Sequence, residues 1–248
     1  MPERESRTIL LVDSSASILF YLAMLLKRLD YSVVTARSAE DALRLMDSVV
    51  PSLILTELSL PRMSGIQFLE QLKKSGRLKT IPAIVLTSDR DPATKDACTR
   101  LGCAAYLAKP AEPDVLYRTL QTVSESVPRM NIRLSASLQV IVGDGSVTGG
   151  ARRTERATAI SEGGLFIRTL YPQPRNALTP LQISISDRTI KAKAIVLYTY
   201  ALGEGAFKEP GMGMKFVELS DTDRTLIRDY IREQLTGDIT PQESGTAQ

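Results

Sequence analysis

Between residues 7 and 123 the chain alternates, five times over, between a short apolar run and a segment with apolar residues at helical spacing. RTILLVD, YSVVTA, SLILTE, IPAIVLTSD and AAYLAKP are the strand candidates. SASILFYLAMLLKRLD, SAEDALRLMDSV, SGIQFLEQLKKS, DPATKDACTRLG and EPDVLYRTLQTVSESV are the helices that follow them. Such alternation implies an α/β doubly wound, five-stranded parallel sheet with helices on both faces. Local signals agree with it. Ser15 and Ser38 stand where helix N-caps are needed, Asp41 gives an acidic variant of the capping box, and Gly102 is a helix stop. In such sheets the working groups gather at the carboxyl ends of the strands. That edge collects Asp13, Glu57, Thr87 and Lys109.

From about residue 129 the pattern changes to short alternating segments: SLQVIV, ERATAI, GLFIRT, LQISIS, TIKAKAIVLYTY and GMGMKFVEL. Polar, glycine- and proline-containing stretches such as GDGSVTGG and YPQPRN separate them, the spacing of an antiparallel barrel or sandwich. One last helix, DTDRTLIRDYIREQL, has Asp221 as its candidate cap. The expected division is residues 6–125, residues 129–236, and a disordered tail over 237–248.

Composition removes several function classes. The chain of 248 residues has no histidine, and its two cysteines, Cys98 and Cys103, make no CxxC pair. A Ser-His-Asp triad, a Cys-His dyad and a zinc site are therefore missing their parts. No run of about eighteen apolar residues is present and no secretory leader is expected, so membrane insertion is not expected and a reducing cytoplasm is. A net charge of +3 is too small to argue for nucleic acid by itself.

The motifs LVDSS, LTELSLPRMSG, VLTSD and YLAKP occur in that order, and with them residues 6–125 resemble a response-regulator receiver domain of flavodoxin-like fold. Some other doubly wound domain is the bland alternative. The resemblance implies a phospho-acceptor aspartate after the third strand, a magnesium ion held by acids, a lysine for phosphoryl oxygens and a hydroxyl that captures the phosphoryl group. Asp13, Thr87 and Lys109 match their positions, while Glu57 stands at the acceptor position and Ser14 at the second acid. Both departures oppose phosphoryl transfer, which depends on positioning and charge, and magnesium is not expected to bind. The site reads as a degenerate pseudo-receiver in which Glu57 pairs with Lys109, as a fixed mimic of the switched state or as simple neutralisation of a buried lysine. Tyr106 falls where the family often keeps an aromatic that moves with the hydroxyl, or is plain packing.

Residues 129–236 resemble a PilZ domain, a β-barrel whose best-known members bind cyclic di-GMP. Arg129-Met130-Asn131-Ile132-Arg133 fits the RxxxR motif, and residues 159–164 fit [DN]xSxxG except at Ala159. Guanidinium forks suit phosphate oxygens and the guanine edge. The resemblance thus makes Arg129, Arg133, Ser161 and Gly164 the candidate cyclic di-GMP residues. Losing the polar group at position 159 would cost about 1–3 kcal/mol of binding. Arg152, Arg153 and Arg156 form a second basic group that reads as a decoy or a solvated hairpin.

Three functions follow. The first is an interaction protein of a bacterial signalling or motility and polarity apparatus, with protein partners and no catalytic constellation. The second is a cyclic di-GMP effector using Arg129 and Arg133. The third is a nucleic-acid regulator, against which stand the 5% aromatic content and the lack of a helix-turn-helix pattern. Receivers often pair through their last strands and helices, so the resemblance allows a homodimer.

Overall fold

The computed structural model describes residues 7–146, 149–205 and 208–239. They divide into two compact units, the first made of residues 7–130 with 235–239 and the second of residues 131–234.

In the first unit β1 (Thr8–Val12), β2 (Ser32–Ala36), β3 (Leu53–Thr56), β4 (Ala83–Thr87) and β5 (Ala105–Ala108) form one parallel sheet in the order β2-β1-β3-β4-β5. The helices are α1 (Ala16–Arg28), α2 (Ala39–Leu45), α3 (Gly65–Lys74), α4 (Pro92–Leu101) and α5 (Pro113–Ser124). β3 and β4 are buried at every residue, as central strands covered on both faces must be. α1 turns Leu19, Leu22, Leu25 and Leu26 inward, the stripe its spacing requires. Ser15 and Ser38 do cap α1 and α2, accepting bonds from Ile18 and Asp41 amides. Gly102 ends α4 in the left-handed region, where a Cβ would be strained.

In the second unit β6 (Leu134–Val142), β7 (Arg153–Ser161), β8 (Gly164–Arg168), β9 (Leu178–Ile185), β10 (Arg188–Tyr200) and β11 (Gly211–Glu218) close into a barrel in the order β10-β11-β8-β7-β6-β9. Antiparallel pairing of β9 with both β10 and β6 closes it, which decides between barrel and sandwich. Alternate residues such as Val140, Ile160, Ile167, Ile183, Val196 and Met212 fill the interior. α6 (Asp221–Thr236) follows. Its cap is Ser220 rather than the expected Asp221, which lies inside the helix: the Ser220 hydroxyl accepts from the Asp223 amide at 3.1 Å and its carbonyl from the Arg224 amide at 2.9 Å. Of the expected tail, residues 240–248 lie outside the described residues.

Candidate functional site

The carboxyl edge of the parallel sheet is built by backbone bonds that prolong the strands. The Asp13 amide donates to Ala36, the Glu57 amide to Val12 and the Lys109 amide to Thr87, at 2.8–3.1 Å. Four side chains are thereby aimed at one point. The loop after Glu57 is fixed by Gly65, where a Cβ would lie 2.4 Å from the Glu57 carbonyl oxygen. That contact excludes any other residue at the end of LPRMSG.

Lys109 Nζ lies 2.5 Å from Glu57 Oε2 and 2.5 Å from Asp13 Oδ2. The side chains keep only 13%, 7% and 4% of their exposure, in the order Lys109, Glu57, Asp13. The Glu57–Lys109 pair is thus present, and Asp13 joins it. The remaining carboxylate oxygens are also engaged: Asp13 Oδ1 accepts from the Ser15 amide at 2.8 Å, and Glu57 Oε1 from the Leu58 and Ser59 amides at 2.6 and 3.2 Å. Burial pushes the Glu57 carboxyl up, but bonds from Lys109, Thr87 and the two amides outweigh it, leaving a net shift below the ordinary value. Ser14 is exposed and stays outside the cluster. Tyr106 donates its hydroxyl to the Asp89 carbonyl at 2.8 Å, and burial beside Asp89 pushes its pKa up to about 12.

The donor set does not fit the magnesium ion that the resemblance implies. Magnesium needs octahedral oxygen ligands at about 2.0–2.1 Å. Both carboxylates here already hold an ammonium and backbone amides, and the third position offers only a neutral, outward-facing serine.

The barrel motif is distributed differently. Arg129 is half-buried in the first unit, its amide donating to Gln121 Oε1 at 3.2 Å, while Arg133 is exposed at the start of the second. Ser161 donates to the Gly164 carbonyl at 3.1 Å. Gly164 has a packing reason to be glycine, because a Cβ there would lie 2.0 Å from the Met214 carbonyl oxygen on β11. Between them Glu162 accepts from Arg228 Nε and Nη2 at 3.1 and 3.0 Å, and its carbonyl from Arg224 at 3.1 Å. The hairpin tip is therefore tied to α6, a link that no local sequence signal announces. Ala159 faces Ser135 on β6 and Phe166 on β8 in register. In the second basic group, Arg153 stacks 5.1 Å over the Tyr171 ring and Arg156 bonds the Ser137 hydroxyl.

Comparisons with known proteins divide the chain in the same way. The family model described as "Response regulator receiver domain" matches residues 9–121, and that of the PilZ domain matches residues 126–233. The CAI-1 autoinducer sensor kinase/phosphatase CqsS of Vibrio cholerae is 33% identical over 114 residues, 46% of this chain and 17% of that protein. Protein PilH of Pseudomonas aeruginosa is 29% identical over 115 residues, 46% of this chain and 95% of that protein. Among solved structures, chemotaxis protein CheY4 of Vibrio cholerae is 28% identical with a TM-score of 0.46, covering 48% of this chain and 99% of that one. The chain thus spans about a sixth of the sensor kinase but nearly all of Protein PilH. Among the described residues no helix is long and apolar enough to cross a membrane.

Proposed function

The chain joins a response regulator receiver domain to a PilZ domain, and on that premise we propose a cytoplasmic signalling protein whose receiver takes no phosphoryl group and whose domains act by binding other proteins. One observation carries this reading: Lys109 is bound at 2.5 Å to Glu57 and to Asp13 at once. The lysine that would meet phosphoryl oxygens is held by the carboxylate standing at the acceptor position. Phosphoryl transfer is positioning and charge stabilisation, and both are here committed to an internal ion cluster. The receiver is then a fixed shape for a partner to read, not a catalyst. In the barrel, Ala159 offers nothing to a guanine edge, and the Ser161 hydroxyl is already bonded to Gly164. Control of motility or polarity is the setting we infer; the likeness to Protein PilH over 95% of its length supports it.

Incubation with a small-molecule phosphodonor and magnesium, followed by intact mass, tests the receiver. The expected result is no phosphoryl gain; a stoichiometric gain lost in Glu57→Ala overturns the reading. Calorimetric titration with cyclic di-GMP tests the barrel. No heat is expected, and micromolar binding abolished by Arg133→Ala would make the protein a messenger effector instead.

A further inference from the structure

Two lateral rows of residues cross the outside of the barrel in register. Gln139, Arg156, Arg168, Gly211 and Tyr200 succeed one another across β6, β7, β8, β11 and β10. Beside them run Ser135, Ala159, Phe166, Gly213 and Tyr198 across the same strands. These rows face outward because residues between them, among them Ala157, Ile167 and Met212, fill the core. β11 carries glycine at both of its outward positions here. A Cβ on Gly213 would fall 2.2 Å from Tyr198 Cζ, and one on Gly211 2.8 Å from Phe166 Cζ, so the rings lie against bare backbone. Tyr198 and Tyr200 are 5.0 Å apart between ring centroids, and Phe166 is 6.4 and 6.2 Å from them. The result is a half-buried aromatic floor bordered by two arginines.

Those arginines are directly opposed on neighbouring strands, and like charges in that relation are destabilising. Little within the barrel relieves them. Arg168 has Glu209 at 3.6 Å with both side chains partly exposed, and among the described residues no carboxylate forms an ion pair with Arg156. Glu155 lines the same shallow concavity with Gln139, Thr154 and both arginines, but it accepts from the Thr169 hydroxyl at 2.8 Å.

We propose that this face is a docking surface for an acidic segment of a partner protein, which rests on the reading that the chain works by binding proteins. Planar guanidinium forks match carboxylates bidentately, and Arg, Tyr and Phe are the residues enriched at the centres of protein interfaces. Charge complementarity chooses the partner: two adjacent guanidiniums need carboxylates, and the rings beside them take apolar side chains from the same segment. Nucleic acid fits less well. It requires many phosphate contacts, whereas Glu155 and Glu209 flank the only two arginines of the rows. Ala159, in the second row, supplies no acceptor for a purine edge.

The test uses the full chain and a fluorescein-labelled ten-residue peptide of Asp, Glu, Phe and Leu, with a control in which Lys replaces the acids. Fluorescence anisotropy should show binding of the acidic peptide only. The double variant Arg156→Glu with Arg168→Glu should weaken it at least tenfold, and Tyr198→Ala should weaken it severalfold. Each variant is to keep the thermal midpoint of the parent; where the double variant does not, Arg156→Gln is read in its place. Equal binding of the lysine peptide, or full affinity after charge reversal, overturns the proposal. So does a need for the same arginines in binding cyclic di-GMP or a generic duplex oligonucleotide. Absence of peptide binding removes this surface alone, because the phosphodonor and cyclic di-GMP experiments decide the broader reading separately.

Discussion

The sheet edge of the receiver and the outer face of the barrel each depart from the pattern that the family resemblance implies, and they differ in what the departing residue does. At the sheet edge, Glu57, which the resemblance sets at the acceptor position, has its two oxygens bonded to Lys109 and to backbone amides. At the barrel, Ala159, which the resemblance sets at the acid or amide position, presents Ser135 and Phe166 with a bare methyl group. The physical difference is burial. A lysine keeping only 13% of its side-chain exposure must be paired, since an isolated buried ammonium costs several kcal/mol. Exposed arginines are satisfied by water and can be left open. On the function proposed above, an input site in a buried pocket becomes a structural element, whereas one on an open face stays available to a partner.

The sharpest way to break this contrast is to remove the internal replacement. Lys109→Met leaves the Asp13 and Glu57 carboxylates buried without their shared counter-ion. Breaking one partner of a buried pair costs about 3–5 kcal/mol, and urea denaturation should show a loss of that size. Arg156→Ala is the matching change on the barrel, where exposure predicts an effect within about 0.5 kcal/mol. Comparable losses from the two variants would mean that burial does not separate the sites.

A smaller effect belongs to Gly164, which the resemblance makes a candidate ligand residue and which the fold places in close approach to β11. With a Cβ only 2.0 Å from the Met214 carbonyl, Gly164→Ala must displace backbone rather than a flexible side chain. Such overpacking costs about 1–3 kcal/mol, again read from urea denaturation. A stable variant would return the glycine to the ligand role.

Much of the fold was legible because burial and periodicity are local. The all-apolar runs of β3 and β4, the leucine stripe of α1, and the serine caps of α1 and α2 all follow from neighbours in sequence. What escaped depends on distance or register. Asp221 looked like the cap of α6, but Ser220, one residue earlier, has both the hydroxyl and the carbonyl in place. The choice between sandwich and barrel rested on β9 pairing with β6 as well as β10, which no short segment encodes. In the site, the Glu57–Lys109 pair followed from the motif positions, whereas the share taken by Asp13 depends on where Nζ comes to rest. The opposition of Arg156 and Arg168 is likewise invisible, since a register shift between Ala157 and Ala159 intervenes between β7 and β8.

The smallest effect tests which force wins at Glu57. Burial raises its carboxyl, and the bonds from Lys109, Thr87 and the amides lower it; the net displacement is downward from 4.5. A carboxyl depressed in the folded state contributes stability that is complete above its unfolded value and is lost as pH falls through its folded value. Replacing Glu57 by glutamine keeps the shape and removes the charge, turning a charged hydrogen bond into a neutral one, a difference on the order of 1 kcal/mol. The parent should therefore exceed Glu57→Gln by that amount between about pH 6 and 8, in chemical denaturation at each pH. The excess should begin to shrink as pH drops through about 4.5 and go on shrinking below it. An excess that instead grows with acidity would mean that burial dominates and that the carboxyl is not held charged by Lys109. The receiver edge would then resemble the barrel face, a site left empty rather than one filled from within.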